Sequence, residues 1–306
     1  TTLGNGTISV SASATDSAGN TSTLGSSSFT LDTIAPTAPV FALGTGVAGG
    51  ATSTEATQGS GVVTLTAESG AAVSVTFTNG ANTVTKSFTG TGASQAVTLT
   101  SADLTTLGNG TISVSASATD SAGNTSTLGN SSFTLDTIAP SAPVAPTVIA
   151  NISSGISASE ATSGFSVTTS LAGTNALAGD TIKLVINGGT TNLSATLSAS
   201  DITNGTYTFT VTNSSITANT NNTFAAQVID AAGNAGPASS TLSLAYDTIA
   251  PAVTAVTDNT AASVTNAPIT FNVVFGEAVV GSVTTANFTA TNGTVNSVTA
   301  VSSTQY

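Results

Sequence analysis

Histidine, cysteine, methionine, tryptophan and arginine are all absent from this sequence, and its only cations are Lys86 and Lys183. Each absence removes a class of chemistry. Without His or Cys there is no Ser-His-Asp or Cys-His nucleophile, no thiolate zinc site and no disulfide framework. Ser-Lys chemistry would need Lys86 or Lys183 buried beside a nucleophile, and both fall in segments that read as solvated strands. With no basic patch to neutralise phosphates, nucleic acid is not expected as a partner. No apolar run approaches the length a bilayer needs, so no membrane insertion is expected within this segment. Glycine-rich stretches such as Gly44-Thr45-Gly46 open no helix and lack a P-loop lysine. The chain therefore reads as no enzyme.

What is present is acidic, small and β-branched. Fourteen carboxylates give a net charge of −12, yet charged residues are only 5% of the chain, so this is no disordered acidic tail. Only 3 Tyr and 11 Phe are available, so Val, Ile, Leu and Ala, with Thr, must fill the interior. That palette favours strands over helices. At 306 residues the chain has room for two or three ordinary domains.

The dominant fact is internal repetition. Residues 1–40 align with 105–144 with two differences, Ser26 against Asn130 and Thr37 against Ser141. A diverged copy follows: Asp230-Ala-Ala-Gly-Asn234 matches Asp120-Ser-Ala-Gly-Asn124, and Asp247-Thr-Ile-Ala-Pro251 matches Asp136-Thr-Ile-Ala-Pro140. The period is that of a whole domain rather than of a solenoid turn. Within it, Ile112, Val114, Ala116 and Ala118 alternate with Ser113, Ser115, Ser117 and Thr119, the pattern of a half-buried strand. Turn signals such as Asn79-Gly80 and Asn109-Gly110 punctuate similar runs, and no segment carries a convincing helical stripe. Strands are expected near 37–50, 61–68, 72–79, 82–89, 94–100, 110–119 and 125–135. Lettered A to G, they predict an immunoglobulin-like sandwich. The fold class is thus all-β, with tandem immunoglobulin-like Greek-key β-sandwich domains arranged as an extended string. The expected bounds are 1–32 (final strands of one repeat), 33–136, 137–247, and 248–306 (opening strands of another).

Asp-x-Ala-Gly-Asn followed by Asp-Thr-Ile-Ala-Pro and a new repeat resembles the bacterial immunoglobulin-like tandem repeats of giant surface adhesins and biofilm proteins. Residues 271–280, Phe-Asn-Val-Val-Phe-Gly-Glu-Ala-Val-Val, are similar to a Phe-Ser-Glu-Ala-Val segment of a related repeat type, with Gly276 in place of Ser. The resemblance implies an extracellular or cell-surface stalk, often calcium-bound at its junctions, with adhesion carried by other, terminal domains.

Strands running alternately down and up put the B–C, D–E and F–G loops at the leading end of each repeat and the A–B and E–F bends at its trailing end. The carboxylates follow. Asp32, Glu68 and Asp120 belong to one junction. Asp136, Asp103, Glu55, Asp180 and Asp230 belong to the next, and Asp247, Asp201, Glu160 and Glu277 to the last. Carboxylates converging without Lys or Arg repel one another unless a cation lies between them, and calcium takes six to eight oxygen ligands in irregular geometry. The candidate calcium ligands are Asp32, Glu68, Asp120, Asn124, Asp136, Asp180, Asp230, Asn234, Asp247 and Glu277, with Glu55, Glu160, Asp103 and Asp201 placed after them. The same residues are also ordinary turn chemistry: Asp before Thr or Ser, and Gly-Asn at a hairpin, require no metal. Pro36, Pro39, Pro140, Pro143 and Pro251 restrict the linkers in either case.

The leading expectation is a structural stalk whose partners are neighbouring repeats and other copies in a fibre. A carbohydrate-binding module would present clustered aromatics, whereas Tyr207, Tyr246 and Tyr306 are scattered. A filament subunit assembling by strand complementation is the third reading. Asn-x-Ser/Thr sequons at Asn5, Asn109, Asn204 and Asn292 arise from a Ser- and Thr-rich composition and leave glycosylation open.

Overall fold

Side chains that alternate along a strand need a second sheet to cover the apolar face, and the chain supplies one. A computed structural model describes residues 3–148, 152, 155–189, 191–258, 269–279 and 283–306. Val280, at the end of the 271–280 segment, lies outside the described residues. Two compact units are formed, one of Thr1–Ile149, Ser166–Thr210 and Thr223–Leu242, the other of Ala150–Phe165, Val211–Asn222 and Ser243–Tyr306.

The first unit opens with an antiparallel hairpin, β1 (Gly6–Ala12) and β2 (Gly25–Leu31). Seven strands follow: β3 (Val40–Leu43), β4 (Val63–Thr66), β5 (Ala72–Asn79), β6 (Asn82–Thr89), β7 (Ser94–Val97), β8 (Gly110–Thr119) and β9 (Gly129–Leu135). They form a three-stranded sheet of order β3-β4-β7 and a four-stranded sheet of order β6-β5-β8-β9. The core lies between them. Val63, Leu65 and Val97 from one sheet meet Val73, Val75, Phe77, Ile112, Val114, Ala116 and Phe133 from the other in a single buried cluster. Phe77 and Phe133 meet edge to face at 6.4 Å. The strand expected at 37–50 is shorter, because Gly46 turns out of it with φ +87° into a 3₁₀ turn at Val47–Gly49.

Two short helices, α1 (Ser53–Thr57) and α2 (Ser101–Leu107), join these strands, and neither was expected from the sequence. Seven residues or fewer make less than two turns, too little for an apolar stripe to register. Both begin with a capping box, Thr52 with Glu55 and Thr100 with Asp103, which satisfies the first amide groups locally. Lys86 Nζ lies 2.6 Å from Asp103 Oδ2 and braces the second of these. Before α1, Ala51 lies parallel to the end of β9, its amide donating to the Thr134 carbonyl oxygen at 2.7 Å.

After the Asp136-Thr-Ile-Ala-Pro linker the pattern recurs. The order is β10 (Thr147–Val148), β11 (Ile156–Ser157), α3 (Ala158–Ser163), β12 (Phe165–Ser170), β13 (Thr181–Ile186), β14 (Thr191–Thr196), α4 (Ala199–Asn204), β15 (Thr206–Val211), β16 (Thr220–Ile229) and β17 (Leu242–Asp247). The first unit takes the β10-β12-β15 sheet and the antiparallel pairs of β13 with β14 and β16, burying Val167, Ile182, Leu184, Phe209, Phe224 and Val228. The second unit holds β11 parallel to β17, with Ile156, Ala161, Leu244 and Tyr246 buried, and the hairpin of β18 (Val253–Asp258) and β19 (Phe271–Phe275). Capping boxes recur at Ser157 with Glu160 and Ser198 with Asp201. Among the described residues no helix is long and apolar enough to cross a membrane. The architecture is mostly β-strand, in small sheets consistent with tandem β-sandwich-like domains.

Two substitutions probe this core in opposite directions. Phe77→Ala should lower unfolding free energy by about 3–5 kcal/mol in a urea titration, the cost of a large buried cavity. The Thr169 hydroxyl is buried with no hydrogen-bond partner among the described residues. Thr169→Val should therefore raise the urea midpoint, by about 1 kcal/mol of stability.

Candidate functional site at the linkers

Each Asp-Thr-Ile linker is held by an asparagine that lies before the preceding long strand. Asn109 Oδ1 accepts both the Thr137 amide at 3.2 Å and the Thr137 hydroxyl at 2.9 Å. Asn5 makes the same pair with Thr33 at 3.1 and 2.7 Å, and Asn219 with Thr248 at 2.9 Å for each bond. In every copy the linker aspartate folds back on the chain. Asp32, Asp136 and Asp247 accept the amides of Ile34, Ile138 and Ile249 at 3.0, 3.1 and 2.9 Å. Asn109 Nδ2 also donates to Asp136 Oδ1 at 3.3 Å. The strand that starts here needs a left-handed residue: Gly110 takes φ +131° after Asn109, whereas Thr220 follows Asn219, which itself takes φ 57°.

From the other side, the loop between β8 and β9 reaches back to the linker that precedes its repeat. Asp120 Oδ1 accepts the amides of Ala122 and Asn124, both at 2.9 Å, and Asp120 Oδ2 accepts Asn124 Nδ2 at 2.8 Å. The second hydrogen of that amide donates to the Asp32 carbonyl oxygen at 3.2 Å. Asp230 and Asn234 repeat the arrangement, with Asn234 Nδ2 donating to the Asp136 carbonyl oxygen at 3.0 Å. Asp16 and Asn20 form the same turn at the head of the chain. The Asn124 amide holds the Asp120 carboxyl below the ordinary value of 3.8, and backbone amides add to this against a desolvation cost.

At the 136–140 linker close packing completes the joint. A Cβ built on Gly50 would sit 3.2 Å from the Ala232 Cβ, and one on Gly49 would sit 3.4 Å from the Ala231 carbonyl oxygen. Thr52, Glu55, Ala139, Gly233 and Asn234 line a shallow cleft of about 420 Å³ there. Asp180, only 4% exposed, accepts the Leu177 and Ala231 amides at 2.8 and 3.1 Å and ties two loops of the same end together.

Of the acidic residues singled out from the sequence, Asp32 is thus joined to Asn124, Asp136 to Asn234, and Asp180 to the turn that Asp230 begins. Glu68 is exposed in the loop after β4 and Glu277 is half-buried after β19, neither with a side-chain bond to another candidate. Glu55, Asp103, Glu160 and Asp201 cap helices. No three acidic side chains converge among the described residues. The linker and turn aspartates instead accept N–H donors of their own loops and linkers. The sequence reading missed the linker role of these asparagines: it took Asn5 as a sequon, Asn109 as a sequon and a turn signal, and did not single out Asn219. The available signal was an asparagine 28 residues before the linker threonine in both near-identical copies. The Lys86–Asp103 pair serves a helix start.

Asn109→Asp keeps the acceptors for Thr137 but sets a second carboxylate against Asp136. Its linker amides should exchange with solvent faster than wild type at neutral pH, and added salt should narrow the difference by screening the like charges. Asp120 supplies a second test. Because its folded value lies below the unfolded one, its contribution is complete above 3.8 and lost as pH falls through the lower folded value. Asn124→Ala should move the Asp120 titration, followed by NMR, up toward 3.8.

No family model matches the chain. No curated protein matches it either. Among solved structures it is similar to a "Ca2+-stabilized adhesin" that "helps an Antarctic bacterium reach out and bind ice", at 27% identity over 83% of this chain and 59% of that one, with TM-score 0.38. A tetra-tandem repeat from the extending region of a large adhesion protein is 24% identical over 89% of this chain and 64% of that one, with TM-score 0.30. Fibronectin(III)-like modules of Clostridium thermocellum CbhA are 14% identical over 68% of this chain and 95% of theirs, with TM-score 0.39. The chain therefore spans less than two thirds of the length of the first two.

Proposed function

We propose that this chain is a structural stalk or fibre segment of an extracellular bacterial surface adhesin or biofilm protein. In this reading its repeats are immunoglobulin-like Greek-key sandwiches bounded at 1–32, 33–136, 137–247 and 248–306, and its partners are neighbouring repeats and other copies in a fibre. The observation that carries it is the recurrence of one linker arrangement: an asparagine holds the threonine of all three Asp-Thr-Ile linkers, and at the first two a second asparagine bonds the aspartate carbonyl from the other side. A binding surface needs to be made once. A spacing device has to be made at every joint, and direct hydrogen bonds with fixed-φ prolines restrict each hinge.

Calcium stiffening is the finer part of the proposal. It rests on the net charge of −12 and on the linker aspartates, since the Oδ2 atoms of Asp32, Asp136 and Asp247 accept no hydrogen bond from the described residues. A glycan platform has less support: Tyr207 stacks edgewise on buried Phe209, Tyr246 is 7% exposed, and Tyr306 packs on Phe275.

Small-angle scattering of the whole chain, with millimolar calcium and then with chelator, separates these readings. An extended rod is expected in calcium, and a compact particle in both conditions would overturn the stalk. Loosening and a lower melting temperature in chelator is the outcome for calcium-stiffened joints, while an unchanged profile assigns the stiffness to the hydrogen bonds. Asn124→Ala with Asn234→Ala should then broaden the distance distribution whichever condition is used.

A further inference from the structure

Two strands in equivalent places border the two repeats differently. Thr119 and Ile229 close the same isolated bridge, Thr119 to Thr125 and Ile229 to Ala235, and they pair with Ala72 and Thr181. Counting from there, Val75 matches Leu184, so their partners, Lys86 on β6 and Leu193 on β14, match one another. Among the described residues both strands end a sheet. β6 is guarded. The helix α2 packs along it, and Lys86, on the same face as buried Val75, is tied to Asp103 of that helix at 2.6 Å. A charge aimed inward from an edge strand is a device against pairing with another chain. β14 has no such guard: it reads Thr191-Asn-Leu-Ser-Ala-Thr196, without charge or proline, and Leu193 stands at the place of Lys86.

The backbone specifies what the free edge of β14 can take. Leu197, just beyond it, donates its amide to the Asp180 carbonyl oxygen at 2.7 Å and accepts the Gly179 amide at 2.9 Å. Backbone direction alternates along a strand, so Ala195 and Leu193 face β13, while the N–H and C=O groups of Asn192, Ser194 and Thr196 face outward. We infer that this edge is a docking site for one occupant, the β14 of a second copy of this chain, added antiparallel about a two-fold axis at Ser194. Ser194 then pairs with its own counterpart and Asn192 with Thr196 of the other copy, so each outward N–H of one strand meets a C=O of the other. On the inner side the half-buried Leu193 comes beside the half-buried Ala195 of the second copy. The charge pattern favours this contact over others between copies. The chain carries a net charge of −12, and β14 is an uncharged strand within it. One strand pair is smaller than a standard interface of about 1,600 Å², so the single contact is weak. The inference rests on the fibre reading above, in which other copies are partners, and says where they touch.

Sedimentation velocity of the whole chain from about 10 μM to about 1 mM, the range in which so small a contact dissociates, should show monomer giving way to dimer. Over the same range the Ser194 and Thr196 amides should exchange about tenfold more slowly, while those of Ser87 and Thr89 on β6 stay unchanged. Leu193→Lys, which copies the guard of β6, and Ser194→Pro, which removes an outward N–H and leaves the bonds to β13, should both remain monomeric. Ser87→Pro should dimerise as the original chain does. Added salt should favour the dimer by screening the net charge. Absence of dimer with unchanged exchange at the highest concentration would overturn the proposal. So would dimers of the Leu193→Lys and Ser194→Pro chains, or loss of the dimer in salt, which would assign the contact to charges. A monomer that still scatters as an extended rod sinks this inference alone and leaves the stalk standing.

Discussion

Carboxylate oxygens accepting N–H groups are the interaction on which the ordered ends of this protein depend. A chain with 14 acids and two lysines cannot neutralise its acids with cations, so they are used as acceptors. Thr52 with Glu55, Thr100 with Asp103, Ser157 with Glu160 and Ser198 with Asp201 start four helices too short to persist on helical propensity. Asp120 and Asp230 organise hairpin turns, and Asp136 folds its linker back on itself. Each such acceptor satisfies a backbone donor that a strand ladder leaves behind where it ends.

This use of charge explains why the joints are built from asparagine. An Asn side chain offers donors and an acceptor together. Asn234 can therefore stay bonded to Asp230 Oδ2 and still donate to the Asp136 carbonyl oxygen, while Asn109 accepts from Thr137 and donates to Asp136. An aspartate at either place would lose the donor and add like charge. Small residues then allow close approach where the next turn arrives, as Gly49 and Gly50 do beside Ala231 and Ala232.

Between the joints the molecule is assembled from β-branched and small apolar side chains, with few aromatics. Val63, Leu65, Val73, Val75, Ile112 and Val114 fill the space between two sheets around the edge-to-face pair of Phe77 and Phe133. Such a core exists only when both sheets are present. The contrast between Phe133 and Phe29 displays this directly, since the same hairpin is buried in one place and open in the other.

Period-two alternation determined the strands, because side-chain direction in a strand is a local property; β5, β6 and β8 run where Ala72–Asn79, Asn82–Thr89 and Gly110–Thr119 alternate. The repeat and the positions of Asp-Thr-Ile and Asp-x-Ala-Gly-Asn were equally legible. The short helices escaped a search for apolar stripes, although Thr-x-x-Glu and Ser-x-x-Glu were there to be read as caps. Only the tertiary structure decided what the polar residues touch. Asn109 and Thr137 are 28 positions apart, and Asn234 and Asp136 are 98 apart. No local rule pairs residues at such distances; the strands must first be folded into sandwiches before loop and linker meet, and that meeting decides which acid caps a helix and which holds a joint.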